Sequence, residues 1–219
     1  MKFSLGTLLN GITQRDNNKK IEGYIGYFGL VDWWLSEFTP EERSHIEDVY
    51  HPMGSDPDKK PLTQGVFDYT SATASSALSG AASWFLGPND RHIAKKLLEK
   101  AWELNRDSET IKIKNILDAH FILSEMITVY YRDREDPAMF TKAVDACRKQ
   151  IALAPQAKKE FLKEYPTQAL PSHRGYEQLI IILDKKGEAQ EAIVLCNQAK
   201  EQGWDGDWDR RIERYEKKR

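Results

Sequence analysis

YEQLIIILDKKGEAQEAIVLCNQA, the segment Tyr176–Ala199, carries the strongest structural signal in the 219-residue chain. Its apolar residues recur every three or four positions on both sides of Gly187, which is the spacing of a buried helix face. Gly187 lies where the first helix should end and the second begin. The segment therefore predicts two helices, over about 172–186 and 188–202, that fold back on each other as a hairpin.

The second helix of this hairpin has counterparts earlier in the chain, at a constant spacing of 49 residues. Equivalent positions are occupied by Ala94, Ala143 and Ala192, and four residues later by Leu98, Cys147 and Cys196. Residues four apart lie on the same face of a helix. Recurrence at a fixed period is typical of helical repeat proteins. We therefore expect three helical hairpins, with the three alanines buried where paired helices cross.

Helical patterns cover most of the chain, and strand patterns are nearly missing. The aromatic-rich segment Lys19–Phe38 ends at Thr39-Pro40-Glu41-Glu42, which has an N-cap residue, a proline at the first helical position and a capping-box glutamate. Further helices are predicted at about 40–50, 69–86, 91–104, 109–132, 137–153, 156–164, 172–186, 188–202 and 207–217. We predict an all-α fold with an N-terminal aromatic helical segment (1–66), a helical repeat region (67–219) and a C-terminal capping helix.

The repeated residues resemble the tetratricopeptide (TPR) family, whose pattern is W-x2-L-G-x2-Y, then A-x3-F, an alanine and a proline. At the eight positions of the pattern the C-terminal copy has Tyr176, Leu179, Ile180, Leu183, Gly187, Ala192, Cys196 and Ala199. Two features depart from the family: no copy has its tryptophan, and Ile180 occupies a small-residue position. The first copy keeps all eight spacings: Leu78, Ala81, Ala82, Phe85, Asn89, Ala94, Leu98 and Ala101. The middle copy matches only in its second helix, with Gln150 at the third small-residue position, and the period of 49 exceeds the family's roughly 34 residues. Segments Ile25–Leu35 and Gln202–Arg214 are also similar to segments of a group of bacterial proteins, which implies no particular activity.

The TPR resemblance implies a protein or peptide partner bound on a concave surface lined by the first helix of each hairpin. By the family register, the exposed positions are Arg174, Glu177, Ile181 and Asp184 in the last hairpin, and Ser76, Ser79, Ser83 and Leu86 in the first. The serines would let a partner backbone approach closely, and Arg174 could bind a carboxylate in bidentate fashion. Alternatively, the N-terminal aromatic helices fill this groove and the serines serve packing within the chain.

A rival interpretation is an enzyme or small-molecule sensor, with a pocket between the N-terminal aromatic helices and the first hairpin. Tyr24, Tyr27, Trp33 and Trp34 would line it. Core packing is the alternative role for these rings, and Gly23, Gly26 and Gly29 at helical spacing would then share a helix face that packs closely on another helix. No set of catalytic side chains can be assembled from sequence spacing. We therefore predict a non-enzyme without a cofactor.

Composition and charge favour a globular protein without a polyanionic partner. Hydrophobic residues make up 40% and charged residues 30% of the chain, and the net charge is −2. Neither nucleic acid nor an anionic membrane surface is indicated by that balance. The N-terminus lacks a signal-peptide pattern, and two cysteines are too few for a disulfide framework. We expect a cytoplasmic protein with reduced thiols.

One segment has the spacing of a calcium-binding loop. Asp205, Asp207, Asp209 and Glu216 follow the ligand spacing of an EF-hand, but Arg210 occupies the position that requires glycine. The favoured interpretation is that Asp205 or Asp207 caps the last helix, with Trp204 and Trp208 packing that helix over the end of the repeats. The five histidines show no metal-site spacing. No metal site is predicted.

Overall fold

The computed structural model describes residues 20–217 except 57, 67 and 111, and within these residues it contains ten α-helices and no β-strand. The predicted all-α class is confirmed. The first 19 residues of the predicted N-terminal segment and the last two of the repeat region lie outside the described residues. The helices α1–α10 are, in chain order, Gly23–Tyr27, Val31–Glu37, Pro40–Val49, Ala74–Ala82, Arg91–Leu104, Ile116–Arg132, Pro137–Glu164, Arg174–Lys185, Ala189–Gln202 and Trp208–Glu216.

The aromatic N-terminal segment forms two short helices, α1 and α2, rather than one. Gly23 and Gly29 have φ angles of +57° and +66°, a left-handed conformation that favours glycine, so the backbone turns at both residues. A Cβ atom at Gly23 would lie 2.5 Å from the carbonyl oxygen of Pro61, because the loop after α3 packs against this turn. The prediction that Gly23, Gly26 and Gly29 share a helix face was therefore wrong.

Helix α3 begins at the predicted capping box. The Thr39 hydroxyl accepts a hydrogen bond from the Glu42 backbone N–H at 3.2 Å, and the Glu42 carboxylate accepts one from the Thr39 N–H at 2.8 Å. The far ends of α3 and α4 meet through aromatic contacts, with Tyr50 edge-on to Trp84 at a centroid distance of 5.7 Å. The described part of the N-terminal segment thus packs on the C-terminal end of α4, and it also contacts α5, where Lys96 donates a hydrogen bond to the Glu37 carbonyl at 2.9 Å.

Helices α4–α9 pack as three consecutive pairs, α4 with α5, α6 with α7, and α8 with α9. The second helix of each pair also contacts the first helix of the next pair. In addition α4 contacts α6, and α6 contacts α8. The first helices α4, α6 and α8 therefore lie side by side, and α10 packs on α9 at the C-terminal end.

Two of these helices begin later than predicted because side-chain caps fix their first turns. Helix α4 begins at Ala74, not near residue 69, since the Thr73 hydroxyl accepts a hydrogen bond from the Ser76 N–H at 3.0 Å. Helix α6 begins at Ile116, not near residue 109, since the Asn115 side chain accepts one from the Asp118 N–H. Both caps satisfy N–H groups that have no partner inside the helix.

Helix α7 is a single helix of 28 residues, although two helices were predicted over 137–153 and 156–164. Pro155 lies inside it and removes one backbone hydrogen bond. The helix continues because its buried face does: Ala154, Ala157 and Phe161 follow at helical spacing and all reach the core. Tertiary packing therefore outweighs the local cost of the proline.

The alanines of the 49-residue spacing are completely buried, as predicted. Ala94, Ala143 and Ala192 each have 0% exposure. Cys147 and Cys196 are also buried and are not joined in a disulfide. Burial raises the pKa of the Cys147 thiol to about 12 and that of Cys196 to about 11. Both thiols are therefore protonated at neutral pH and serve as small packing groups.

Replacing Ala192 by Leu is expected to overpack the contact between α8 and α9 and to lower the free energy of unfolding by about 1–3 kcal/mol. Urea denaturation monitored by circular dichroism measures this change. Ala152→Leu, at an exposed position of α7, is the matched control and should leave stability nearly unchanged. Equal stability of the two variants would contradict close packing at Ala192.

The last helix is held by tryptophans and ion pairs rather than by an aspartate cap. Trp204 and Trp208 are buried, as the predicted packing of α10 requires, and the Trp208 indole donates a hydrogen bond to the Trp204 carbonyl at 2.7 Å. Asp207 occupies the N-cap position, but its carboxylate binds the Arg211 guanidinium instead of the backbone. The predicted side-chain cap was wrong in this respect.

Candidate functional site

The serines that the sequence assigns to a binding surface lie on α4 in three different environments. Ser76 is half-buried, Ser79 is 6% exposed and Ser83 is exposed. The Ser76 hydroxyl takes part in the cap with Thr73, and the Ser83 hydroxyl donates to the Gly80 carbonyl at 2.7 Å. The hydroxyls of Ser76 and Ser83 thus bond within their own helix. Because serine side chains are small, they leave an unfilled space above α4.

That space is a groove of about 260 Å³ between α4 and α6. One wall consists of Ser76, Ser79, Gly80 and Ser83 from α4, and the other of three larger side chains from α6. A Cβ atom at Gly80 would meet no other atom within 4 Å, so the groove is open above the middle of α4. We call this feature the α4–α6 groove.

The α6 wall of the groove is formed by Asp118, Phe121 and Glu125. The Asp118 carboxylate accepts hydrogen bonds from the hydroxyls of Thr73 and Ser75, and so joins the start of α6 to the start of α4. Phe121 is 52% exposed although its ring contacts Phe161 edge-on at 5.8 Å. The groove therefore presents an aromatic surface to solvent opposite a wall of small side chains.

Glu125 is the carboxylate of this wall that has no direct hydrogen bond or ion pair with the described residues, although two arginines act on it at longer range. Its side chain is half-buried, and no described residue donates a hydrogen bond to it or forms an ion pair with it. Burial raises the pKa of the Glu125 carboxyl, and the charges of Arg174 and Arg132 offset only part of that rise.

The candidate residues of α8 adjoin the groove but do not line it. Arg174 lies near enough to Glu125 to influence its pKa, and its guanidinium pairs with Glu177 at 3.8 Å. The Arg174 Nε atom is buried without a hydrogen-bond partner among the described residues. Ile181 and Asp184 lie further along α8, both half-buried, and are outside the groove lining. Leu86, the remaining candidate of the first hairpin, is half-buried beyond the end of α4.

Sequence reasoning missed the α6 side of the groove, although the 49-residue spacing contained a signal for it. Glu125 lies 49 residues after Ser76 and 49 before Arg174. Glu125 shares the groove with Ser76 and lies close enough to Arg174 for the arginine's charge to influence the pKa of its carboxyl. The middle hairpin was followed only through its second helix, so its first helix supplied no candidate.

A larger cavity than the α4–α6 groove lies within the N-terminal segment. It has a volume of about 620 Å³, and every lining residue falls within 20–65. The rival interpretation placed a pocket between this segment and the first hairpin, but no residue of α4 or α5 lines this cavity. Its carboxylates include Glu47, which accepts a hydrogen bond from the Thr63 hydroxyl and pairs with Lys60 at 3.3 Å. Of the four aromatic residues proposed for the pocket, Trp34 lines it.

A pair of buried histidines connects α6 to the beginning of α8. The rings of His120 and His173 lie 5.1 Å apart, and Trp204 stacks on His120 at 5.5 Å. His173 caps α8, since its Nδ1 atom accepts a hydrogen bond from the Tyr176 N–H at 3.4 Å. Burial lowers the pKa of His120 to about 4, and burial together with the neighbouring His120 lowers the pKa of His173 to about 3. Both imidazoles are therefore neutral at physiological pH.

The described residues offer neither a metal site nor a membrane-spanning helix. Within residues 20–217, apart from 57, 67 and 111, no three His, Cys, Asp or Glu side chains are grouped as metal ligands. None of the helices in that part of the chain combines the length and apolar character needed to span a membrane. Comparisons with protein-family models, with curated proteins and with solved structures found no match.

Proposed function

We propose that the chain is a TPR-like binding module whose α4–α6 groove holds an extended peptide segment of a partner protein. Three hairpins, α4–α5, α6–α7 and α8–α9, would form the repeats at the period of 49. Support comes from the pairwise packing of these helices and from the side-by-side arrangement of their first members. In repeat proteins of this kind, the surface formed by such helices is the usual binding face.

The observation that carries this proposal is the half-exposed Phe121 ring opposite a wall of serines and Gly80. A large aromatic side chain gains free energy when apolar surface leaves water, and it is a frequent anchor of protein interfaces. The small residues opposite would allow a partner backbone to approach. No described residue of the N-terminal segment is among the residues that line this groove.

A protein partner in the cytoplasm is part of the same proposal. The two buried thiols are compatible with a reducing compartment. The net charge of −2 gives no general attraction for nucleic acid or anionic lipid. Binding in the groove depends on the few residues that line it and not on the net charge of the chain.

The proposal is tested by filling the groove. A phage-displayed library of random peptides is selected on the purified protein, and the affinities of the selected peptides are measured by isothermal titration calorimetry. Gly80→Leu is expected to weaken these peptides by about tenfold or more, or about 1.4 kcal/mol. The melting temperature should stay level or rise, since leucine has open space at this position and a higher helix propensity than glycine.

Ala152→Leu is the control for this experiment, because it adds the same side chain at an exposed helical position outside the groove. It should bind the peptides as the wild type does. Peptides that bind Gly80→Leu and wild-type protein equally well would contradict the proposed site. If substitutions in the lining of the 620 Å³ cavity weakened these peptides instead, the interpretation that places a ligand pocket in the N-terminal segment would gain support.

A further inference from the structure

The lining of the α4–α6 groove is negatively charged, and nearby arginines offset this charge only in part. Asp118 and Glu125 line the groove, and no lysine, arginine or histidine is among its lining residues. Arg174 and Arg132 lie close enough to lower the pKa of Glu125, but each also has another partner. Arg174 pairs with Glu177, and the Arg132 guanidinium donates a hydrogen bond to the Leu86 carbonyl at 2.7 Å. A ligand in this groove therefore meets a surface that favours positive charge.

The two carboxylates of the groove differ in what they can still accept. Asp118 already accepts hydrogen bonds from two hydroxyl groups. Glu125 accepts none from the described residues and forms no ion pair with them, although it is half-buried. Removing a carboxylate from water without a compensating partner costs free energy. Glu125 is thus the acceptor that a bound ligand would satisfy.

Phe121 stands one helical turn before Glu125, so its ring and this carboxylate share a face of α6. Lysine and arginine side chains combine a long apolar stem with a cationic head. The stem would lie across the exposed Phe121 ring, and the head would reach Glu125 with a charge-assisted hydrogen bond. The aromatic ring and the carboxylate together match the two parts of such a side chain.

We infer that the α4–α6 groove recognises a basic peptide segment, with one lysine or arginine side chain crossing Phe121 and ending on the Glu125 carboxylate. This inference rests on the proposed peptide-binding function and specifies the chemistry of its ligand. It differs from the expectation that Arg174 binds an acidic residue. An acidic ligand at Arg174 would lie beside Glu177 and near Glu125, and both would repel it.

The test uses the peptides selected on the wild-type protein, resynthesised with each lysine or arginine replaced in turn by norleucine. One such replacement is expected to weaken binding to the wild type about tenfold. The same replacement should change binding to the Glu125→Gln variant by less than about twofold, because the partner charge is already absent. The melting temperature of Glu125→Gln should change little, because the cost of burying this charge and its attraction to Arg174 and Arg132 oppose each other.

Two further variants test whether the loss of affinity is specific to the Glu125 charge or follows from any change in the charge of the protein. Glu103→Gln, an exposed carboxylate on α5, should leave affinity unchanged. Arg174→Ala should leave affinity unchanged or increase it, because it removes a cation near the bound lysine or arginine. Affinity should also fall as the salt concentration rises, as expected for a partly exposed ion pair.

Different failures have different meanings. If Gly80→Leu blocks the selected peptides but they bind Glu125→Gln as tightly as wild type, the basic-segment inference is overturned and the peptide-binding function stands. A loss of affinity in Arg174→Ala, with acidic residues enriched in the peptides, overturns it in favour of an acidic ligand. If no selected peptide is blocked by Gly80→Leu, both proposals are overturned.

Discussion

Acidification from pH 7 to pH 4 is expected to lower the free energy of unfolding by an amount of the order of 6 kcal/mol, most of it through His120 and His173. Their folded-state pKa values of about 4 and about 3 lie below the roughly 6.5 of an unfolded histidine. Between these values the unfolded chain binds more protons than the folded chain. Lower pH therefore favours unfolding, and the stability is fully present only above about pH 7.

The surroundings of the two histidines explain why protonation is so unfavourable. Their rings contact Phe161, Tyr176 and Trp204, and no carboxylate is among the contacts that these rings make within the described residues. His120 Nδ1 and His173 Nε2 are buried without hydrogen-bond partners there. An imidazolium would thus be buried without a countercharge, which is more costly than a neutral ring.

Urea denaturation at several pH values measures this effect, and a double variant assigns it. His120→Phe keeps an aromatic ring against Trp204, and His173→Asn keeps a residue that can cap α8. The double variant should lose much of the slope between pH 6.5 and pH 4, whereas His51→Gln, at an exposed loop position, should keep it. A double variant with the wild-type slope would contradict the assignment.

Carboxylates also contribute to the loss of stability near pH 4, and their contribution is separate from that of the histidines. Hydrogen bonding from Arg91, assisted by Lys95, holds the pKa of the Asp133 carboxyl below its usual range. Its stabilising contribution is present above the pKa of an unfolded aspartate, near 4, and is lost as the pH falls below that value. The histidine effect therefore dominates from pH 6.5 to about 4.5.

Replacement of Gln150 by Ala is expected to lower the free energy of unfolding by about 3 kcal/mol. Gln150 is completely buried on α7 and holds three helices together. Its amide nitrogen donates to the His120 carbonyl of α6 at 2.8 Å, and its amide oxygen accepts from the Gly175 N–H of α8 at 2.6 Å. The Gly175 N–H lies in the first turn of α8, where no helical carbonyl can replace that oxygen.

Gln156→Ala, at an exposed position of the same helix, is the matched control and should change stability by less than about 0.5 kcal/mol. Equal urea midpoints for the two variants would contradict the bridging role of Gln150.

Gly175 explains why the Gln150 side chain fits between α7 and α8. A Cβ atom at residue 175 would lie 2.9 Å from the Gln150 amide oxygen and 3.0 Å from the Cys147 carbonyl oxygen.

Gln150 also shows where the sequence pattern stopped being informative. At its position the first and third segments of the 49-residue spacing have Ala101 and Ala199. By pattern alone, glutamine is a departure from the repeat. In the structure it supplies a donor and an acceptor to groups on two neighbouring helices, and these groups are 30 and 25 residues away along the chain.

The amino-acid sequence by itself determined the helical class, the capping box at Thr39 and the burial of the three spaced alanines. These features depend on residues within a few turns of one another, whose propensities and apolar spacing are readable locally. Where only local signals were used, Pro155 and the glycines of the N-terminal segment were misinterpreted. The helix continues through Pro155 because its buried face is continuous. The backbone turns at Gly23 because the loop at Pro61 packs against it.

Only the tertiary structure brought the α4 serines opposite Phe121 and Glu125, and His120 against His173. Each of these arrangements joins residues more than 35 positions apart in the chain. Their chemistry depends on burial and on which polar groups remain without a partner, and both are properties of the packed helices. In the sequence, Glu125 cannot be distinguished from a glutamate on a solvent-exposed helix face. The difference arises only on folding, because packing of the helices removes water from around its carboxylate.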